Sequence, residues 1–320
     1  MQILYNYNIR TGYSKNKPKF TGHSGFEKLP FYVGLTKGVT TETRLFRDFE
    51  TIDFATKYIK SVFKNTQKNI VVGACSTGEE VYSIKMLMHG ESYNITGFDI
   101  GKNTIKQAKS GIIELNIPTD KNSEYYTKII DMDTYKDSFL AKDDENISKK
   151  QQFLKEIFSK TFEKTEIKTK LMYRVSERLR KIFDIAFVEF DKQHFKCKEI
   201  DKNCKFVQGN IEELDKIISQ EQCVHLFSFK NALYHLITDN DNYHRESISH
   251  QRVKIILDKI FKDINKTLHK EGLFIMGETE NKQHMNMHFV SKGLLENGFV
   301  PIRMRNRPYL NIWKKVKEVE

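Results

Sequence analysis

The sequence predicts an α/β protein with a mixed, mostly parallel sheet of seven strands. Segments with strand and helix patterns alternate from residue 69 to residue 111, and such alternation is typical of parallel sheets. The alternation resumes at Cys204 and continues to residue 277. Two final apolar segments, joined by Asn306-Arg307-Pro308, predict an antiparallel hairpin at the edge of the sheet.

The predicted elements follow from the spacing of apolar residues. The longest amphipathic pattern runs from Val253 to Leu268, with Gly272 after its end, and predicts a long helix. We expect strands at 69–75, 95–100, 204–208, 224–229, 272–277, 299–305 and 309–315, and shorter helices at 79–89, 103–110 and 211–219.

The residues before the first strand are predicted to form an extension. Residues 1–40 are polar and rich in turn residues, whereas residues 41–64 carry apolar side chains at helical spacing. We therefore expect irregular structure followed by one or two helices. This divides the chain into an amino-terminal extension with helices at 1–64 and a sheet domain at 65–320.

A long segment at about 112–203 interrupts the sheet domain. Between residues 151 and 183, apolar residues recur at near-helical spacing, which predicts one or two long amphipathic helices in a largely helical inserted subdomain. An insertion after the second strand leaves the core sheet intact. It either shapes the mouth of a binding site or is decorative.

Composition favours a globular enzyme. The 320 residues are 39% hydrophobic and 30% charged, and no apolar run approaches the roughly 20 residues that span a bilayer. The first residues lack the pattern of a signal peptide, so we expect a cytoplasmic protein. The four cysteines show no metal-binding spacing, so we expect reduced thiols and no metal site.

The positive charge is concentrated near the amino terminus. The net charge is +11, and residues 1–64 carry 11 Lys and Arg against 5 Asp and Glu. A basic face of this kind suits an acidic protein surface as well as a phosphate backbone, and it also fits a lysine-rich composition without function.

The strongest functional signal lies at the ends of the first two predicted strands. The apolar residues 70–72 lead into a turn of small residues that ends in Glu79 and Glu80. The second strand ends in Asp99, where a carboxylate can accept hydrogen bonds from ribose hydroxyls. Together the two strand ends predict a site for an adenosine-bearing ligand.

Seven short motifs in order resemble the CheR-type chemotaxis-receptor glutamate O-methyltransferases. The resemblance covers about 41–112 and 204–315, and the string ACSTGEEVYS is its most specific part. The motifs are TETRLFR at 41–47, ACSTGEEVYS at 74–83, FDI at 98–100, SGI at 110–112, GN at 209–210, FKN at 229–231 and GETE at 277–280.

The resemblance implies a Rossmann-like seven-stranded methyltransferase sheet that binds S-adenosylmethionine and releases S-adenosylhomocysteine. It implies that Glu80 binds the amino end of the cofactor and that Asp99 binds the ribose. The other implied cofactor-binding residues are Thr41, Thr43 and Arg47 over the methyl-donor pocket, Asn210 beside the adenine, and Lys230 and Asn231 at the end of the fourth strand.

Two features depart from the family pattern. The tyrosine that lies near the transferred methyl group in the family is replaced by His235. The small three-stranded subdomain of the family, between strands two and three, is expected to be replaced here by the longer helical insertion.

The implied reaction is methylation of a glutamate side chain on an acidic protein, such as a chemoreceptor-like protein. A glutamate with a pKa near about 4.3 is ionised at neutral pH, so no general base is required. Arg47 would steer the acceptor carboxylate and His235 would orient it, although His235 could equally act as a base for an amine or hydroxyl acceptor.

Two other functions stay open from the sequence. A methyltransferase acting on RNA or a small molecule would use the basic amino terminus, but an aromatic-interleaved basic stripe is missing from the sequence. A non-catalytic scaffold that retains cofactor binding would explain the lost tyrosine and the rebuilt insertion.

Overall fold

The structure, a computed structural model, describes ten stretches of the chain. They are residues 26–28, 45–118, 149–175, 187–200, 202–219, 222–230, 232–233, 250–277, 287–302 and 312–318. Within them the chain forms two β-sheets with flanking helices.

The strands and helices are numbered here in chain order. The strands are β1 (Phe26–Lys28), β2 (Lys68–Gly73), β3 (Tyr93–Asp99), β4 (Ile112–Pro118), β5 (Phe162–Val175), β6 (Phe187–Cys197), β7 (Cys204–Gln208), β8 (Val224–Phe229), β9 (Leu268–Ile275), β10 (Phe299–Pro301) and β11 (Ile312–Lys315). The helices are α1 (Phe49–Val62), α2 (Glu79–Leu87), α3 (Lys102–Ser110), α4 (Lys149–Thr161), α5 (Leu214–Ile217), α6 (His250–Thr267) and α7 (Met287–Glu296), with a 3-10 turn at Ile211–Glu213 before α5.

The larger sheet confirms the predicted mixed, mostly parallel architecture. Its seven strands lie in the order β10-β11-β9-β8-β2-β3-β7. The neighbours from β9 to β7 pair in parallel, whereas β11 pairs antiparallel with both β9 and β10. The predicted terminal pair is therefore present, and its predicted turn at 306–308 lies outside the described residues.

Hydrophobic packing on both faces explains why the central strands are almost continuously apolar. Along β2, Ile70 and Val72 belong to a core with α1 and α2, whereas Val71 points to the opposite core with α6. The face of α6 that covers this second core carries Leu257, Ile260, Phe261 and Ile264, as the helical spacing predicted. Two layers of helices thus hold the sheet edge that carries the strand ends.

Across the described parts of the insertion, 112–118, 149–175 and 187–200, the expectation of a largely helical insertion is wrong. Helix α4 fills only the first part of the predicted helical stretch, and β5 begins at the next residue. Strands account for most of the described insertion, because β4, β5 and β6 pair antiparallel and β1 adds to the β5 edge. The insertion therefore contains the three-stranded unit that was expected to be missing.

The spacing of apolar residues explains this error. Ile167, Leu171 and Val175 are four residues apart. A spacing of four residues keeps side chains on one face of a helix, and it also keeps them on one face of a strand because it is twice the strand period of two. Thr165, which precedes Ile167, and Thr169 and Tyr173, which lie between the three, complete an alternating pattern with a period of two, which is typical of a strand.

The insertion is fixed to the sheet domain through α2. The Tyr82 ring packs edge-on against Phe162, with ring centroids 5.6 Å apart. Lys85 Nζ donates to the carbonyl oxygens of Glu199 at 2.8 Å and Lys202 at 3.0 Å. Helix α2 therefore links the insertion to the turn that carries Glu79 and Glu80.

A pair of histidines lies at the opposite end of the sheet from the predicted site. His225 is the second residue of β8, is 7% exposed, and accepts a hydrogen bond at Nδ1 from the Asn69 N–H at 3.0 Å. Its ring stacks on His269 with centroids 5.5 Å apart. Burial, with the nearby His269 and Lys68 as smaller causes, lowers the pKa of His225.

We predict that His225 makes the protein less stable in acid. Because its pKa is lowered on folding, the unfolded chain takes up a proton below about pH 6.5 that the folded chain does not. His225→Gln should flatten the fall of unfolding free energy with decreasing pH by up to about 1.4 kcal/mol per pH unit. Urea unfolding between pH 5 and 8 measures this slope.

The matched control for this experiment is the exposed His89. His89→Gln should keep the pH slope of the unmodified protein. A His225→Gln variant with the same slope as His89→Gln would contradict the prediction.

Candidate cofactor site at the strand ends

The carboxyl ends of four parallel strands meet at one edge of the larger sheet. In register, Gly73 of β2 lies beside Phe98 of β3 and Phe229 of β8, and Asp99 lies beside Gln208 of β7. The loops that follow these strands therefore converge. In open α/β sheets, this edge is where ligands bind.

The turn after β2 has an unusual backbone. Ala74 and Ser76 have positive φ angles of 51° and 49°, and Gly78 follows with a φ of 98°. Residues other than glycine adopt this region rarely, at a cost of about 1–3 kcal/mol each, and such residues cluster at functional sites. The strain gives the turn the tight bend that brings the start of α2 to the strand ends.

Asp99 holds this turn. Its carboxylate accepts hydrogen bonds from the Ser76 N–H at 2.9 Å and the Gly101 N–H at 2.8 Å, and from the Thr104 hydroxyl at 3.2 Å. Asp99 is 8% exposed, so these bonds form largely away from water. One carboxylate thus ties the first loop to the second, and ribose binding by Asp99 stays a prediction.

Glu80 lies in the first turn of α2 and faces β8. One carboxylate oxygen, Oε1, accepts a hydrogen bond from the Ser228 hydroxyl. The other, Oε2, is 3.3 Å from Lys230 Nζ. Glu79 has a different partner, because the Thr77 hydroxyl donates to its carboxylate. Cofactor binding by Glu80 stays a prediction.

The turn before α1 closes the same region. Phe46 and Asp48 both have positive φ angles, 56° and 55°. The Phe46 N–H donates to Ser83 Oγ at 2.8 Å, which anchors the turn on α2. Lys230 Nζ donates to the Arg47 carbonyl oxygen at 2.7 Å and lies 3.7 Å from Asp48 Oδ2, which anchors it on the end of β8.

Asn210 follows β7 and starts the next helical turn. Its Oδ1 accepts a hydrogen bond from the Glu212 N–H at 3.2 Å, so its side chain caps the 3-10 turn. Gln208 donates from its side chain to the Ile100 carbonyl oxygen at 3.1 Å and joins the two strand ends. Contact of Asn210 with adenine stays a prediction.

Several predicted site residues are brought together. The Arg47 carbonyl, Glu80 and Lys230 meet in one cluster. Asp99 ends β3, and Asn210 follows the neighbouring strand β7. The predicted residues Thr41, Thr43, Asn231 and His235 lie outside the described residues.

Two residues of the cluster were missed in the sequence. Ser228 is a fully buried hydroxyl at the otherwise apolar end of β8. A single polar residue in an apolar strand end can be seen in the sequence and could have indicated a site residue. Asp48 gave a weaker signal. It follows Arg47 directly, but its approach to Lys230 depends on residues far apart in the chain.

The residues present suit the two ends of S-adenosylmethionine. The Glu80 carboxylate, at the start of α2, suits the ammonium group of the cofactor. The Asp99 carboxylate, at the end of β3, suits the hydroxyl donors of its ribose. Among the described residues, no group of three or more His, Cys, Asp or Glu side chains could hold a metal ion. Burial raises the pKa of the nearby Cys75 thiol, so this thiol is a poor nucleophile.

The strand order is that of a mixed, mostly parallel sheet with a terminal antiparallel pair. Residues 41–175 match the family model described as CheR methyltransferase, SAM binding domain, which confirms the resemblance seen in the motifs. The match covers 135 of the 320 residues, so this part of the chain is similar to a CheR methyltransferase domain, and its cofactor is S-adenosylmethionine. Among curated proteins, none matches the chain.

Similar solved structures have low sequence identity to the chain. A provisionally assigned sarcosine dimethylglycine methyltransferase from Galdieria sulphuraria is 9% identical, covers 80% of this chain and 63% of its own, and has a TM-score of 0.34. Magnesium protoporphyrin IX methyltransferase from Synechocystis PCC 6803, with bound SAM, is 10% identical, with coverages of 83% and 78% and a TM-score of 0.36. The chain thus spans less than two thirds of the first structure.

We predict that Asp99→Ala weakens both the fold and nucleoside binding. The change removes a carboxylate that accepts two backbone N–H bonds, which should lower the free energy of unfolding by about 1–3 kcal/mol. Urea unfolding measures this loss, and calorimetry with adenosine measures the affinity. Thr104→Val removes only the hydroxyl donor and should cost less on both measures. Unchanged adenosine affinity in Asp99→Ala would exclude Asp99 from ribose binding.

Proposed function

We propose that this protein methylates a carboxylate side chain of a protein, as a CheR-like glutamate O-methyltransferase. The observation that carries the proposal is the position of Arg47. Its backbone carbonyl is held by Lys230 at the end of β8, beside Glu80, so a basic residue borders the amino end of the proposed cofactor site. A guanidinium that reaches the site from this backbone position would suit an anionic acceptor.

The proposed mechanism needs alignment more than acid–base chemistry. The bound cofactor supplies a methyl group on a sulfonium centre. The acceptor glutamate is already ionised at neutral pH, so the protein must orient it and exclude water. In this proposal Arg47 binds the acceptor carboxylate, and Glu80 and Asp99 hold the two ends of the cofactor.

The remaining predicted residues complete the proposed site. Thr41 and Thr43 precede the turn that carries Arg47, and Lys230 and Asn231 follow β8. His235 comes four residues after Asn231, and we propose that it orients the acceptor near the sulfonium. The same histidine could serve as a general base for an amine or hydroxyl acceptor.

We propose an acidic protein, such as a chemoreceptor-like protein, as the partner. The positive charge of residues 1–64 supports this choice, because opposite charge speeds encounter between proteins. A cytoplasmic location remains an expectation. In the described residues, no helix has the length and apolar character needed to cross a membrane.

The same positive charge supports a second candidate, methyl transfer to RNA or a small molecule. A scaffold that binds the cofactor without turnover is the third candidate. The replacement of the family's tyrosine by His235 supports it.

We predict that the methylated product is a base-labile ester on protein. The purified chain would be incubated with methyl-labelled S-adenosylmethionine and a lysate depleted of its own methyltransferase activity. Label on a carboxylate should be released as volatile methanol by mild alkali and should survive ribonuclease. Alkali-stable label on protein, or label lost with ribonuclease, would contradict the proposed acceptor, and no label with tight cofactor binding would favour the scaffold.

We predict that Arg47→Ala lowers kcat/KM for the protein acceptor by about tenfold to a hundredfold, because an anionic acceptor loses a charged hydrogen bond of about 1.5–3 kcal/mol. Calorimetry with S-adenosylhomocysteine checks that the cofactor still binds. Lys57→Ala is the control, because it also removes one positive charge but at an exposed position on α1, and it should keep full activity. Full activity in Arg47→Ala would remove Arg47 from the mechanism.

A further inference from the structure

Ser228 places a hydroxyl inside the larger sheet. Its side chain has no exposed surface, and all six residues of β8 are buried. In register, Ser228 lies between Val72 of β2 and Ile275 of β9, which both belong to the core that α1 and α2 cover. Neighbouring side chains on paired strands point to the same face of a sheet, so Ser228 points toward these two helices.

The partner of this hydroxyl is Glu80, in the first turn of α2. The Ser228 hydroxyl donates to Glu80 Oε1, although 148 positions separate the two residues in the chain. An alanine or a valine would fill an apolar position in the core without a polar group that needs a partner. The hydroxyl is therefore explained by the carboxylate that it contacts.

The end of β8 holds Glu80 by both of its carboxylate oxygens. Oε1 accepts from Ser228, and Oε2 is 3.3 Å from Lys230 Nζ. The Lys230 ammonium group is itself fixed, because it donates to the Arg47 carbonyl oxygen at 2.7 Å. Contacts at both oxygens set the plane of the carboxylate, since rotation about the last bond of the side chain would break one of them.

The Ser228 hydroxyl opposes a closer approach of Glu80 to Lys230. A carboxylate attracts an ammonium group more strongly when both oxygens approach it, and the bond from Ser228 holds Oε1 back from such a rotation. A carboxylate has about four lone-pair sites, so contacts with Ser228 and Lys230 leave room for a second ammonium group. The Glu80 side chain is 16% exposed, which leaves part of it open to a ligand.

We propose that Ser228 is a positioning residue that keeps the Glu80 carboxylate turned toward the ammonium group of a ligand. It acts through Glu80 and does not itself touch the ligand. The inference rests on the proposed function, because it takes Glu80 as the residue that binds the amino end of the cofactor. Loss of the hydroxyl lets the carboxylate turn toward Lys230, and the ammonium group of the ligand then loses a well-placed acceptor.

The test compares two adenosine thioethers by calorimetry on the full chain. Methylthioadenosine has no ammonium group, whereas the aminopropyl thioether of adenosine carries one. Ser228→Ala should weaken the aminopropyl ligand roughly tenfold and change methylthioadenosine by less than about twofold, because only the first ligand uses Glu80. The ratio of the two affinities is the readout, since a loss of folded protein would weaken both ligands alike.

Two further variants separate positioning from packing. Ser228→Thr keeps the hydroxyl and adds a methyl group, so the affinity ratio should stay within about twofold of that of the unmodified protein, even if both affinities fall. Thr56→Val on α1 is the control. It removes another buried hydroxyl, one that donates to the Ile52 carbonyl oxygen of the same helix at 2.9 Å, and should leave the ratio unchanged.

A double-mutant cycle tests whether Ser228 acts through Glu80. Glu80→Gln keeps the shape of the side chain and removes its charge, so it should lower the affinity ratio by itself. When Glu80→Gln is already present, Ser228→Ala should change the ratio by less than about twofold, because the group that it positions has lost its charge.

The outcomes distinguish this inference from the proposed function. An unmodified protein that binds neither S-adenosylhomocysteine nor the two thioethers contradicts the proposed cofactor site, and one that binds both thioethers equally well contradicts the place of the amino end at Glu80. When the unmodified protein prefers the aminopropyl ligand, equal losses for both thioethers in Ser228→Ala overturn the inference. An affinity ratio in Ser228→Thr as low as in Ser228→Ala, or an effect of Ser228→Ala that persists beside Glu80→Gln, also overturns it.

Discussion

The candidate site depends on one buried cation, Lys230. Its Nζ reaches the Arg47 carbonyl at 2.7 Å and Glu80 Oε2 at 3.3 Å, so it joins the turn before α1, the start of α2 and the end of β8. A charged group with no exposed surface is stable only when it is paired and hydrogen-bonded. The carboxylates around Lys230 supply that compensation, and the strand ends keep them together.

Backbone strain surrounds the same place. Phe46 and Asp48 on one side, and Ala74 and Ser76 on the other, adopt left-handed conformations that non-glycine residues usually avoid. The hydrogen bonds of Asp99, Ser83 and Lys230 hold these turns in place and leave them little freedom to relax. Rigid borders of this kind suit a reaction in which alignment matters most.

The insertion shows where local patterns are ambiguous. Helix α4 was predictable, because Leu154, Ile157 and Phe158 are spaced for one helical face. The strand that follows, β5, was not recognised, because apolar residues at every fourth position fit the period of a helix as well as the period of a strand. Pairing with β6 decided between them, since each strand edge needs a partner for its backbone hydrogen bonds. The paired residues of β5 and β6 lie between 13 and 35 positions apart, so their pairing is not visible in any local pattern.

The sequence by itself determined the main sheet and the identity of its end residues. Short apolar runs bounded by turn residues, as in β2 and β3, predict strands buried on both faces, and Asp99 comes at the end of β3. Only the tertiary structure decided that Asp48 and Lys230 meet, because 182 residues separate them and no local pattern links them. Periodicity reports which face a residue occupies, whereas charge pairing in a buried cluster depends on how distant segments are packed together.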